Sequence, residues 1–84
     1  MILSQSGLLQ IDKYTTLGLM LVRRNESGQP AQLKIDIHER SGEWTEWIEA
    51  GSVLRTSAGP LELIAIDEDA AGIILAEFAT AGPS

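Results

Sequence analysis

Apolar and polar residues alternate along several short stretches of this chain. Leu33, Ile35 and Ile37 are separated by polar side chains, which predicts a strand with one buried and one solvated face. Eight glycines divide the chain at intervals of 8 to 14 residues, and turn signals at such intervals indicate many short strands rather than helices. We therefore expect strands at residues 8–11, 15–22, 31–39, 44–49, 53–56, 61–66 and 73–78.

These segments predict an all-β fold with mostly local connections. About six to seven short strands would form a small single-domain antiparallel sandwich or a partly open barrel. Asn25 and Gly28 are suited to one turn, and Ser41-Gly42 to a tight hairpin. We expect residues 1–78 to form a single all-β domain and residues 79–84 to be a frayed C-terminal tail.

Composition limits the chemistry that this chain can perform. With 84 residues there is room for one core. A domain of this size usually needs additional stabilisation from a disulfide, a metal or an oligomeric partner. The absence of cysteine excludes disulfides and thiolate sites. A zinc site with one histidine would need carboxylates for its other ligands, which is rare. We expect no metal and no cofactor, so oligomerisation is the remaining source of additional stabilisation.

The net charge of −6 is unevenly distributed. Residues 1–38 carry four basic and three acidic side chains, whereas residues 39–84 carry two basic and nine acidic ones. The charge therefore disfavours nucleic acid as a partner, because binding to phosphates requires a basic face. An acidic half favours a protein partner with a basic surface, and it also serves solubility. We expect no membrane segment, mature sequence from the first residue, and a cytoplasmic location.

The segment 38–51, HERSGEWTEWIEAG, holds the only histidine and both tryptophans. If Ser41-Gly42 forms the turn, two antiparallel strands flank it, and Trp44 and Trp47 point to opposite faces because they are three residues apart. One tryptophan would enter the core. The other would cap an edge, contact a protein or stack a small ligand, and aromatic enrichment at interfaces makes the protein contact the best functional interpretation. The candidate contact residues are Trp44, Trp47, Glu43, Glu46, Glu49 and His38.

Other polar residues give weaker signals. His38 has no nucleophile motif beside it, so an exposed histidine paired with a carboxylate is the favoured interpretation. The acids at 67–69 are consecutive and lack the spacing of a calcium loop, so they predict a solvated turn. Arg23 and Arg24 form the only adjacent basic pair. Such a pair can bind an anion, although it more often pairs with surface acids.

The sequence thus favours a non-catalytic, small acidic β module that acts in protein–protein interaction or assembly, by self-association or by docking on a partner. The first alternative is a small-ligand or carbohydrate-binding module with a tryptophan platform. The second is a nucleic-acid-binding regulator. The run of glycines and strands at 48–78 is similar to the meander of carbon-storage-regulator RNA-binding proteins, but the basic strand and C-terminal helix of that family are not predicted here.

Overall fold

The computed structural model of the protein describes residues 1–81 and contains eight strands. They are β1 (Ile2–Ser4), β2 (Leu8–Gln10), β3 (Thr16–Arg24), β4 (Pro30–Glu39), β5 (Gly42–Ile48), β6 (Val53–Thr56), β7 (Gly59–Glu68) and β8 (Ile74–Thr80). The described part of the chain contains no helix.

The strands form two antiparallel sheets of four strands each. Sheet A has the order β1-β8-β7-β6, and sheet B has the order β2-β3-β4-β5. Most neighbours in a sheet are joined by short hairpins, whereas β1 pairs with β8 from the other end of the sequence, with Ile2 opposite Glu77. Both sheets contain a register shift, between Leu19 and Leu21 in β3 and between Leu63 and Ala65 in β7.

A single apolar core lies between the two sheets, so the fold is a sandwich. Alternate residues of each strand point inward, as the period of two requires. Ile35 and Ile37 of sheet B and Leu63 and Phe78 of sheet A are buried. The full core consists of Leu3, Leu17, Leu33, Ile35, Ile37, Ile48, Leu54, Leu61, Leu63, Ile74, Ala76 and Phe78.

The turn at Asn25 uses the residues that the sequence indicated, whereas the β4–β5 turn lies one residue before the predicted Ser41-Gly42. Asn25 Oδ1 accepts hydrogen bonds from the backbone N–H of Ser27 and Gln29, while the Gly28 N–H donates to the Asn25 carbonyl at 2.9 Å. Gly28 has a φ of 81°, which glycine adopts without steric penalty. The β4–β5 hairpin turns at residues 40–41, because Glu39 pairs with Gly42.

The predicted all-β class is confirmed, but the expected number of six to seven strands is wrong. All seven predicted segments are strands, and the eighth is β1. β1 has only three residues, too few to show alternation, and its pairing with β8 depends on the tertiary fold. β8 continues to Thr80, and the Ala81 N–H donates to the Pro60 carbonyl at 3.0 Å. Residues 82–84 of the predicted tail lie outside the described residues.

No helix within residues 1–81 has the length and apolar character needed to cross a membrane.

Candidate partner-binding surface

The β4–β5 hairpin positions the candidate site at one edge of sheet B. β5 pairs with β4 alone and forms the end of the four-strand order, so within the described residues its other side is unpaired. Trp44 lies opposite Ile37, whose side chain is buried, and Trp47 lies opposite Lys34. The register therefore fixes which tryptophan faces the core.

The two tryptophans are divided between the two faces, as their spacing predicted. Trp44 is partly buried and packs against the core cluster. Trp47 stands on the outer face, with 38% of its surface exposed. The prediction that the hairpin splits its tryptophans is confirmed, and Trp47 is the one that remains accessible.

Trp47 is in contact with Arg23 of β3, the strand on the other side of β4. The guanidinium carbon of Arg23 lies 4.3 Å from the centre of the Trp47 ring. Arg23 Nη1 also donates to Gln32 Oε1 at 3.0 Å. The arginine covers part of the indole, so Trp47 offers less free ring surface than an isolated stacking platform would.

Apolar residues extend from Trp47 across the outer face of sheet B. Leu21, Lys34 and Trp47 occupy one row across β3, β4 and β5. Leu21 is 52% exposed and the adjacent Met20 is 51% exposed. This face therefore combines an aromatic ring, two aliphatic side chains and the basic groups of Arg23 and Lys34.

Three glutamates follow the free edge beside Trp47. Glu43 and Glu46 are on β5, Glu49 comes directly after it, and all three are exposed. No basic residue occurs between Arg40 and Arg55. The edge is therefore acidic, and complementary charge is the property that would guide a partner to it.

His38 lies between two carboxylates on the outer face of sheet B. Its Nε2 is 2.5 Å from Asp36 Oδ2, and its Nδ1 is 2.7 Å from Glu43 Oε2. The predicted pairing of an exposed histidine with a carboxylate is confirmed, with two partners rather than one. Glu43 reaches His38 because the two residues are directly opposite in the hairpin.

The two adjacent arginines point to different partners. Arg24 forms a bidentate contact with Glu68, with Nη1 3.0 Å from Oε1 and Nη2 2.9 Å from Oε2, and so joins β3 of sheet B to β7 of sheet A. Hydrogen bonding between the two side chains lowers the pKa of Glu68 and raises the pKa of Arg24. The pairing of Arg24 with a surface acid is confirmed. Anion binding by Arg23 and Arg24 stays a prediction.

Two of the three acids at residues 67–69 form side-chain hydrogen bonds. Glu68 contacts Arg24, and Asp69 Oδ1 accepts hydrogen bonds from the backbone N–H of Ala71 and Ile73, both at 2.9 Å. The Gly72 N–H closes the turn on the Asp69 carbonyl at 3.0 Å. The predicted turn is confirmed for Asp69 alone, because Asp67 and Glu68 belong to β7.

Two open surface pockets lie near the site. One of about 330 Å³ is lined by residues of the β1–β2 connection, by Leu8, Met20 and Asp36, and by Gly18. The other, of about 340 Å³, lies at the hairpin tip between Tyr14 and Arg40, whose guanidinium carbon is 4.9 Å from the ring centre. Neither tryptophan is among the described residues that line these two pockets.

Sequence reasoning missed the apolar part of this surface. Leu8 is 76% exposed, and Met20 and Leu21 are also accessible, although none of them was among the candidate contact residues. The register shift between Leu19 and Leu21 moves Leu21 onto the outer face. No local signal in the sequence marks this shift, because every residue near it is apolar or glycine.

Comparisons of the chain with protein-family models, with curated proteins and with solved structures found no match.

Proposed function

We propose that the protein is a non-catalytic binding module that docks a partner protein along the free edge of β5 and the adjoining outer face of sheet B. The observation that carries the proposal is the position of Trp47, which is exposed beside an unpaired strand and held there by Arg23. Exposed aromatic residues near an open edge are typical anchors of protein interfaces.

The partner that fits this edge is an extended segment with basic residues. An edge strand binds such a segment through main-chain hydrogen bonds, and side chains on alternate positions supply the specificity. Glu43, Glu46 and Glu49 would meet lysine or arginine side chains, while Trp47 would contact an apolar one.

A second copy of this chain fits the edge less well. Pairing two β5 strands would bring two sets of three glutamates together with no basic residue on either strand to compensate. The glutamates of two paired β5 strands would lie closer together than the Debye length of about 8–10 Å. Salt would therefore screen the repulsion between them only in part. Glu46 is on the core-facing side of β5, opposite Ile35, yet exposed, and inward-pointing charges commonly protect sheet edges from self-pairing.

Selection from a random peptide display library tests the proposal without a known partner. We expect the selected peptides to combine basic and apolar residues and to bind the wild-type protein. The Glu43→Gln, Glu46→Gln, Glu49→Gln triple variant should lose this binding, and a triple variant of Glu62, Glu77 and Asp67 with matched amides on sheet A should keep it. Selected peptides that are acidic, or that bind both triple variants equally, would contradict the proposal.

The small-ligand and nucleic-acid functions stay alternatives to this proposal, and the cytoplasmic location stays a prediction.

A further inference from the structure

The cluster of His38, Asp36 and Glu43 has the composition of a metal site. Its potential ligand atoms, one from each residue, all lie within 4.8 Å of one another. Asp36 and His38 are two residues apart on β4, so a strand places both side chains on one face. Glu43 reaches the same place from the opposite position on β5.

The backbone beneath the cluster is firmly fixed. β4 pairs with β3 on one side and β5 on the other, and its inward residues Ile35 and Ile37 are fully buried. The relative position of the Asp36 and His38 backbones is therefore set by the core and the sheet rather than by a loop. Sites on strands hold ligands more precisely than sites on loops.

Both ring nitrogens of His38 face a carboxylate oxygen. In protein metal sites, a ligating histidine commonly uses one nitrogen for the metal and donates the other N–H to a carboxylate, which fixes the tautomer and the orientation of the ring. The contact of Nδ1 with Glu43 supplies the orienting half of that arrangement. The contact of Nε2 with Asp36 is a hydrogen bond at 2.5 Å, which an ion bound between these two atoms would replace, with water in its remaining positions.

We propose that this cluster binds a divalent transition-metal ion such as Zn²⁺, through His38 Nε2 and Asp36 Oδ2, with Glu43 orienting the ring through the Nδ1–H. Asp36 is the better ligand because its side chain is 29% exposed and shares a strand with His38. The Glu43 side chain is 67% exposed and is less constrained. An imidazole with carboxylates suits zinc, whereas magnesium and calcium prefer oxygen ligands alone.

This inference does not depend on the docking function, because it concerns the protein without a partner. No metal site was expected from the sequence, because a zinc site with one histidine is rare. Glu43 comes beside the histidine ring only through pairing across the hairpin. Only the Asp-x-His spacing on one strand could have signalled it.

Titration of the isolated protein with ZnCl₂ tests the proposal by calorimetry and by ¹⁵N spectra of the histidine ring. We expect saturable binding of one ion, with the Nε2 resonance shifted by the metal and Nδ1 still protonated. His38→Gln and Asp36→Asn should abolish saturation, and Glu43→Gln should weaken binding by about tenfold, as loss of an orienting group does. Glu77→Gln, which removes the same charge from the outer face of sheet A, should bind like wild type.

Three results would overturn the proposal. They are no saturable binding at millimolar zinc, equal binding by the His38→Gln variant, and equal saturation by MgCl₂, which would indicate general attraction to acidic groups. Backbone amide spectra of each variant establish that it is folded, so loss of binding is assigned to the ligands.

Discussion

The guanidinium carbon of Arg23 lies 4.3 Å from the centre of the Trp47 ring, and this contact crosses the whole width of β4. The same guanidinium donates to Gln32 Oε1 on β4, so the arginine is anchored between β3 and β5. An exposed cation–π contact contributes about 0.5–1 kcal/mol. Its main effect is therefore to hold the indole in one orientation rather than to hold the sandwich together.

Replacing each tryptophan by alanine should have different consequences. Trp44→Ala removes a side chain that packs on the core and should lower the free energy of unfolding by about 2–3 kcal/mol. Trp47→Ala removes an exposed ring and should lower it by about 1 kcal/mol or less. Urea unfolding measures both values, and equal losses would contradict the assignment of the two rings to different faces.

The Arg24–Glu68 pair should make stability depend on pH. Arg24 lowers the pKa of Glu68 in the folded protein below its ordinary value of 4.5, so the unfolded chain takes up a proton first as the pH falls. The stabilisation is therefore present above about pH 4.5 and is lost as the pH falls through the folded pKa.

Glu68→Gln should accordingly have a lower urea midpoint than wild type at pH 7, and the difference should shrink as the pH is lowered. Asp67→Asn is the matched control, because Asp67 is the neighbouring acid on β7 and has no ion pair within the described residues. A difference that is independent of pH would show that Glu68 acts by something other than its charge.

Among the core residues, truncation of Phe78 to alanine should lower the free energy of unfolding most. This residue is 1% exposed and lies opposite the buried Leu63 in the β7–β8 pair. Phe78→Ala should lower the free energy of unfolding by about 3–5 kcal/mol, a large fraction of the stability of a domain this small. Glu77→Ala, at the adjacent outward position, should change it by no more than about 0.5 kcal/mol, and a similar loss in both variants would argue against the inward and outward assignment in β8.

The acidic edge should keep the protein monomeric. Sedimentation equilibrium is expected to give 9.1 kDa at moderate salt. The triple amide variant of Glu43, Glu46 and Glu49 should associate more readily, because the repulsion along β5 is removed. A stable wild-type dimer would mean that a second copy, rather than a basic partner, covers the edge or another face.

Local patterns predicted most of the fold because seven of the strands show either alternation or a bounded apolar run. β1 could not be predicted, since three residues carry no period and its partner is β8 at the other end of the sequence. The division of Trp44 and Trp47 followed from their spacing. Deciding which one is exposed required the register, which sets Trp44 opposite the buried Ile37.

The candidate site was predicted only in part, because several of its contacts join residues of different strands. The glutamates of β5 were visible in one segment of sequence, whereas the contacts of Trp47 with Arg23 and of His38 with Glu43 depend on pairing between strands. The exposure of Leu21 depends on a register shift in β3. Interactions across a sheet are determined by the three-dimensional fold, and spacing along the chain does not reveal them.

Chemical-shift mapping would locate the docking surface on the sandwich. The strongest peptide from the display selection would be titrated into ¹⁵N-labelled protein. We predict that the perturbed signals are the backbone amides of β5 and the indole N–H of Trp47, and that Trp47→Ala weakens binding without unfolding the domain. Perturbations confined to sheet A, or to the pocket between Tyr14 and Arg40, would contradict the assignment of β5 as the docking edge.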